Sequence, residues 1–164
     1  MVKEPLPTPA EWEAIKNETA DVHAGGGNAT ITAPLLQELI DAARATVPNE
    51  ACGLLVSDRY HADEGAPIRY LPLTNAAASP YRYMIDPQEQ LRVWIEIEDA
   101  GEVVWAIVHS HLASPAIPSA TDVGLAYFPD SLYIICSLTQ LDQPSVRAWS
   151  IRDGQVAEVQ LGVV

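Results

Sequence analysis

One stretch of the sequence constrains the fold most, VWAIVHSHLASPAIPSATDVG at residues 104–124. It opens with an apolar run of buried-strand length, and the run ends in His109 and His111. Residues i and i+2 of a strand point to the same face, so the two imidazoles project together while Ser110 points away. The chain must therefore form a sheet in which a buried strand delivers two histidines to the edge of the core.

Two adjacent imidazoles make half of a zinc site. In the next loop, stiffened by Pro115 and Pro118, Ser119 is at a helix N-cap and Asp122 is at i+3 on the same side. Asp122 can complete a His-His-Asp set, and three protein ligands leave a fourth position open, as in catalytic zinc sites. Each part also has a purely structural interpretation. Ser-x-x-Asp is a common helix capping box, and a histidine at a strand end is usually a hydrogen-bonded surface residue.

Hydrolysis at such a site needs a carboxylate that accepts a proton from water and returns it to the leaving group. Glu50 is the candidate, because it stands directly before the apolar run ACGLLV and just after Pro48 and Asn49 end a helix. Packing does not explain a glutamate at the mouth of a buried strand. His23 and His61 lie in polar segments and are assigned no role.

The hydrophobic periodicity and turn residues predict the element order β-α-β-β-β-α-β-(α)-β-β-β. We predict one helix between Thr32, its N-cap, and Pro48, a second from Asp86 to Gly101, and a short third over residues 119–127. RDGQ at 152–155 indicates a β-hairpin. The predicted strands cover residues 29–32, 51–57, 68–75, 81–85, 102–110, 131–138, 145–152 and 155–164.

Composition limits the class of partner. The net charge is −13, with seven Arg, two Lys and no basic patch, so we expect no nucleic-acid partner. No apolar run approaches the roughly 20 residues that span a bilayer, so we expect no membrane partner. The N-terminus lacks a signal-peptide pattern, and Cys52 and Cys136 form no C-x-x-C pair. A cytoplasmic protein with two buried thiols is the expectation.

Residues 1–28 differ from the rest of the chain. Prolines at 5, 7 and 9 precede a short helix predicted from 9 to 18, and a run of three glycines at 25–27 follows. We predict a flexible N-terminal arm over residues 1–28 and a single domain over residues 29–164.

The spacing Glu50 … His109-Ser110-His111-x7-Ser119-x2-Asp122 resembles, at every position, the JAMM motif of the MPN+ metallopeptidases, E…H-[ST]-H-x7-S-x2-D. The likeness runs from about Ala29 to Leu161. Within that family, NEACGLL, YRYMIDPQEQ and HSH…PSATD look like the small bacterial Mec-type hydrolases, which act on ubiquitin-like sulfur-carrier proteins. The resemblance implies an α/β fold of MPN (JAMM, cytidine-deaminase-like) type, with a mixed curved β-sheet flanked by helices.

The resemblance also implies the chemistry. One Zn²⁺ per chain would be held by His109, His111 and Asp122, Glu50 would be the general acid/base, and Ser119 would help the metal to stabilise the oxyanion. The reaction would be hydrolysis after the C-terminal Gly-Gly of a sulfur carrier, releasing cysteine or a conjugated protein. Many members have proline after the second histidine where this chain has Leu112, and we expect the site to survive that difference.

Two alternatives remain open. One is a non-catalytic MPN scaffold that only binds a partner, although such scaffolds typically lose the metal ligands that this chain keeps. The other is a metallopeptidase of a different peptide, such as a cell-wall or phage-tail peptide. The sequence favours no particular oligomeric state.

Overall fold

The computed structural model describes residues 8–11, 14, 22–23 and 27–164, with the backbone alone at Val22–His23. In this part of the chain the strands are β1 Val22–His23, β2 Asn28–Ile31, β3 Cys52–Ser57, β4 Arg69–Leu73, β5 Val103–His111, β6 Leu132–Ser137, β7 Ser145–Arg152 and β8 Gln155–Val163. The helices that concern the site are α1 Ala33–Thr46, α2 Pro87–Asp99 and α3 Ala120–Gly124, and a 3₁₀ turn covers His61–Asp63.

The described strands form one mixed sheet in the order β1-β8-β7-β6-β5-β3-β4, with β2 also paired to β8. β5 and β6 are parallel, as are β1 and β2 with β8, and the other neighbours are antiparallel. The core has two parts. One includes α1 with Trp105, and the other includes α2 with Ile107 and Trp149. The predicted α/β architecture, a mixed sheet flanked by helices, is confirmed.

Local sequence signals account for the longer helices. α1 buries Leu35, Leu39 and Ala43, spaced four residues apart, and ends before Pro48. Thr32 is its N-cap by backbone conformation, although its side chain makes no capping hydrogen bond. At the start of α2, the Asp86 carboxylate accepts from the amides of Gln88 and Glu89, as the predicted cap requires.

The hairpin predicted from RDGQ is confirmed. Asp153 and Gly154 both have positive φ, at 48° and 75°, which is the conformation of a type I′ turn. The third helix is shorter than predicted, because α3 ends at Gly124 rather than at residue 127.

The predicted strand over residues 81–85 is wrong. In the structure this segment is a loop, in which Ile85 alone forms an isolated bridge, to Asn75. The Asn75 side chain takes the place of a partner strand: its amide donates to the Arg82 carbonyl at 3.0 Å and its oxygen accepts from the Met84 amide at 3.0 Å. The Ala76 amide also donates to the Met84 carbonyl at 2.7 Å, so the backbone of YRYMI is bonded by one side chain and one neighbouring amide rather than by a partner strand.

Most of the predicted arm, including residues 25 and 26 of its glycine run and most of its predicted helix, lies outside the described residues. Val22 and His23 pair in parallel with Val156 and Ala157 of β8. The boundary near residue 28 remains a prediction. Within the described residues, no helix has both the length and the apolar character needed to cross a bilayer.

Candidate metal centre and active site

β5 and α3 bring together the three predicted metal ligands. The Nε2 atoms of His109 and His111 lie 3.1 Å apart. Asp122 completes the triangle, with Oδ1 3.4 Å from His109 Nε2 and Oδ2 3.1 Å from His111 Nε2. All three side chains are buried. The period of two along β5 thus places the imidazoles side by side, as the sequence predicts.

The separations of these donor atoms fit a zinc ion. In a tetrahedral site with zinc–ligand bonds of about 2.0–2.1 Å, neighbouring ligand atoms are about 3.3–3.4 Å apart. The observed 3.1–3.4 Å is within a few tenths of an ångström of that value. Two imidazole nitrogens and one carboxylate oxygen are also ligands that zinc prefers.

A hydrogen bond from the loop after β5 orients one of the ligands. Nδ1 of His111 lies 2.8 Å from the carbonyl oxygen of Pro115. A carbonyl only accepts, so Nδ1 donates this hydrogen bond and Nε2 is the nitrogen that faces His109 and Asp122. This is the contact that commonly fixes the tautomer of a metal-ligating histidine.

Ser119 and Asp122 form a capping box at the start of α3. The Ser119 amide donates to Asp122 Oδ2 at 2.8 Å, and the Asp122 amide donates to Ser119 Oγ at 3.2 Å. The capping-box interpretation of Ser-x-x-Asp is therefore confirmed, and the same box aims the Asp122 carboxylate at the histidines, as metal binding would require. Ser119 is fully buried, and its hydroxyl hydrogen remains available as a donor.

Glu50 lies at the same end of the sheet as the three ligands. It is 1 % exposed, its amide donates to the Ser79 carbonyl at 2.9 Å, and its carbonyl accepts from Asn75 Nδ2 at 3.0 Å. In the register between β3 and β5, Cys52 is opposite His109. Glu50 therefore precedes the point where β3 meets the histidine end of β5.

Ser110 connects these two strands. The Ala51 amide donates to Ser110 Oγ at 2.7 Å, and the Ser110 amide donates to the Ala51 carbonyl at 3.0 Å. The Ser110 side chain points away from the candidate ligands, as the strand periodicity predicts. Its hydrogen bonds hold Ala51, the residue that follows Glu50. The serine between the two histidines thus holds the candidate base in register with the ligands.

Tyr83 is a site residue that the sequence analysis missed. Its ring stacks on His109, with centroids 4.5 Å apart and planes 23° apart. Burial raises the pKa of the Tyr83 hydroxyl well above its ordinary value, and the charge of Asp122 raises it further. No spacing relates Tyr83 to the motif. It comes from the loop predicted as a strand, so the sequence carries no signal for this contact.

Tyr83 also lines a groove of about 390 Å³. The groove is mostly apolar, and Arg82 and Gln90 are polar residues on its wall. Its apolar lining includes Met84, Ile85, Ile107, Leu125, Tyr127 and Phe128. Through Tyr83, which stacks on His109, this groove adjoins the candidate metal centre.

The remaining side chains that the sequence raised have structural surroundings. His61 contacts the edge of Trp105, with ring centroids 6.4 Å apart. The free thiols Cys52 and Cys136 are buried, and burial raises their pKa values to about 12 and about 11. Leu112 packs against the core on the α1 side, so the site forms with leucine at that position.

Three comparisons with known proteins agree. Residues 32–152 match the family model described as prokaryotic homologs of the JAB domain. The chain is 43% identical over 138 residues to the CysO-cysteine peptidase of Mycobacterium tuberculosis, covering 82% of this chain and 90% of that one. It is 36% identical over 104 residues to the desampylase of Haloferax volcanii, covering 63% of this chain and 73% of that one.

Among solved structures, a JAB1/MPN domain protein from Archaeoglobus fulgidus superposes with a TM-score of 0.55. It is 23% identical, and the match covers 85% of this chain and all of that one. At this identity the likeness concerns the fold alone. It agrees with the mixed sheet and flanking helices described above.

Proposed function

This chain belongs to the family of prokaryotic homologs of the JAB domain, and we propose that it is a zinc-dependent peptidase acting on a ubiquitin-like sulfur-carrier protein. The bond cleaved follows the carrier's C-terminal Gly-Gly. One observation carries the proposal: a buried His-His-Asp cluster lies at the same end of the sheet as Glu50, in a chain 43% identical to a CysO-cysteine peptidase.

His109, His111 and Asp122 would hold one zinc ion per chain. When bound, zinc supplies a Lewis acid that lowers the pKa of water and polarises a carbonyl group. The residues around it keep this centre rigid. The Pro115 carbonyl fixes the His111 tautomer, the capping box fixes Asp122, and Tyr83 covers one face of His109.

Glu50 moves the protons in this mechanism. Its carboxylate accepts a proton from the attacking water and delivers it to the leaving amine, so a single group serves both transfers. The Ser119 hydroxyl donates to the oxygen that becomes negative when the Gly carbonyl is attacked. Both residues are at least 99 % buried, which strengthens these interactions by excluding water.

A Gly-Gly terminus suits this site for steric reasons. Glycine has no Cβ, so a tail ending in two glycines can pass close to a buried metal centre. The tail can also add as an extra strand at an exposed edge of the sheet. Such pairing supplies main-chain hydrogen bonds that do not depend on the tail's side chains.

We propose cysteine as the leaving group, which would place the reaction in a carrier-dependent route to cysteine. The higher identity and coverage of the CysO-cysteine peptidase support this choice. The desampylase relative supports a second candidate, the lysine of a conjugated protein.

The free, buried thiols suit a reducing cytoplasm, and the charge of −13 suits neither nucleic acid nor an anionic membrane surface as a partner.

The decisive experiment offers the zinc-loaded protein three substrates: a CysO–cysteine conjugate, a carrier joined by isopeptide to lysine, and an unrelated peptide. Cleavage is measured by mass spectrometry. We expect the first to be cut fastest, EDTA to stop the reaction, and a bulky residue in place of the penultimate glycine to slow it sharply. Equal rates on the unrelated peptide would reject the carrier and favour a peptidase of another peptide.

Glu50→Gln is the matched control, because it keeps the size of the side chain and removes the base. We expect it to retain zinc and the fold and to lose roughly 10²–10⁴-fold in turnover. Near-normal turnover would move the base elsewhere. Complete absence of turnover in the zinc-loaded native protein would support the non-catalytic scaffold.

A further inference from the structure

Asn75 follows β4 in the chain, and its side-chain amide makes four hydrogen bonds. Nδ2 donates to the carbonyls of Glu50 and Arg82, each at 3.0 Å. Oδ1 accepts from the backbone amides of Ala77 and Met84, also at 3.0 Å. An asparagine side chain has two N–H groups and two oxygen lone pairs, so all of its hydrogen-bonding positions are used.

One of these bonds is half of a clamp on the backbone of Glu50. The Glu50 amide donates to the Ser79 carbonyl at 2.9 Å, and the Glu50 carbonyl accepts from Asn75. The turn that supplies both partners is closed by Asn75 itself, because its side chain bonds the Ala77 amide and its carbonyl accepts from the Ala78 amide at 3.0 Å. Both polar backbone groups of Glu50 are therefore bonded to one turn that begins at Asn75.

The other bonds place Tyr83. Arg82 precedes this tyrosine and Met84 follows it, and both are bonded to the Asn75 side chain. The Tyr83 ring then stacks on His109, with centroids 4.5 Å apart and planes 23° apart. Because both of its chain neighbours are held, the Tyr83 backbone keeps a fixed position, and so does the ring that covers His109.

We propose that Asn75 is a positioning residue of the active site, which holds Glu50 and the aromatic cover of His109 in one arrangement. The part that concerns Glu50 rests on the proposed function, whereas the part that concerns His109 requires only that the site binds zinc. An aspartate would only accept hydrogen bonds here, and a serine has a single hydroxyl. Asparagine is thus the side chain of this size that supplies both kinds of bond.

Asn75→Asp separates the two kinds of bond. It keeps the size of the side chain and the oxygen that accepts from Ala77 and Met84, and it removes the N–H groups that bond Glu50 and Arg82. A carboxylate oxygen then faces two carbonyl oxygens and repels them. We expect kcat on the CysO–cysteine conjugate, measured at saturating zinc, to fall about 10–100-fold, because a displacement of about 1 Å at a catalytic group has an effect of this size.

The same substitution in the Glu50→Gln background shows whether Asn75 acts through Glu50. Once the base is removed, its position no longer matters, so Asn75→Asp should cause no further fall in kcat. A full additional fall in that background would overturn the proposal.

Zinc affinity, measured by competition with a chelator, tests the part that concerns His109. We expect Asn75→Asp and Tyr83→Leu each to weaken zinc binding about tenfold, which is the usual effect of losing support around a metal ligand. The two changes combined should weaken it no further than either alone, because both act through the same ring. Native zinc affinity in Asn75→Asp would overturn the proposal.

This binding measurement uses no substrate, so it distinguishes the two possible failures. If the zinc-loaded native protein cleaves no conjugate, the proposed function fails, and the zinc affinities alone decide the role of Asn75. Should Asn75→Asp not fold, Asn75→Ser serves the same measurements, since its hydroxyl can still accept from the Ala77 amide and close the turn.

Ser57→Ala is the matched control, at the other end of β3. The buried Ser57 hydroxyl donates to the Ala66 carbonyl at 2.7 Å and accepts from the Arg59 amide at 3.3 Å, so it also ties a loop to the sheet. Its loss should lower the melting temperature and leave both kcat and zinc affinity unchanged. Equal losses of kcat and zinc affinity in Ser57→Ala would overturn the positioning role, because loosening any loop beside β3 would then have the same effect.

Discussion

Ser110→Ala tests whether the link between β3 and β5 positions Glu50, the proposed general base. The substitution removes the oxygen that accepts the Ala51 amide hydrogen at 2.7 Å. Ser110 is 1 % and Ala51 is 6 % exposed, so water does not readily replace the lost acceptor. His109, His111 and Asp122 keep their contacts, because none of these contacts uses the Ser110 side chain.

A buried donor left without its acceptor destabilises the fold by about 1–3 kcal/mol. In a chain of 164 residues, each kcal/mol lowers the melting temperature by roughly 2–4 °C, so the expected shift is roughly 2–12 °C. We expect kcat to fall by more than the loss of folded protein alone would cause. Glu50 is the residue before Ala51, and a displacement of about 1 Å at a catalytic group can reduce the rate by about 100-fold. Zinc content should be unchanged.

The assay combines calorimetry, zinc content and kcat on the CysO–cysteine conjugate. Ser131→Ala is the matched control, because its buried hydroxyl donates to the Val104 carbonyl at 2.6 Å, at the other end of β5. It should lower the melting temperature without changing kcat, and Ser110→Thr should restore both quantities. Unchanged kcat in Ser110→Ala, or an equal fall in kcat for Ser131→Ala, would refute the positioning role.

Three further outcomes are expected. The purified protein should bind one zinc per chain, and His109→Ala or Asp122→Ala should abolish that binding in elemental analysis; zinc that cannot be restored to the native protein would reject the catalytic assignment. Deletion of residues 1–27 should preserve zinc binding and lower the melting temperature by only a few degrees, since β1 contributes two paired residues; a large fall would show that the arm packs on the domain. Cys52 and Cys136, with pKa values raised by burial to about 12 and about 11, should resist thiol reagents at pH 8 until the protein unfolds, and rapid labelling of the native protein would contradict their burial.

The site could be predicted from the sequence wherever one element sets the geometry. The period of two along β5 puts His109 and His111 on one face, and a helical turn puts Asp122 above Ser119. The capping box and the Asp-Gly hairpin are similarly local, because backbone dihedral angles of a few consecutive residues determine them. The motif spacing indicates in addition that the two histidines and the start of the short helix belong to one site.

The tertiary structure decided what lies next to these pieces. Glu50 lies at the same end of the sheet as the candidate ligands because Ala51 pairs with Ser110, 59 residues later in the chain. That register depends on the whole sheet, including a bulge between Leu55 and Val56, and no local pattern encodes it.

The segment YRYMI shows the same division most clearly. Its alternation fits a strand, but a strand also needs a neighbouring edge, and here the Asn75 side chain and the Ala76 amide supply the hydrogen bonds instead. The loop that results lays Tyr83 on His109 and forms one wall of the groove. The periodicity of the sequence therefore determined which side chains share a face of one element. Which elements pack against each other depended on hydrogen-bond partners far away in the sequence, and only the tertiary structure shows these.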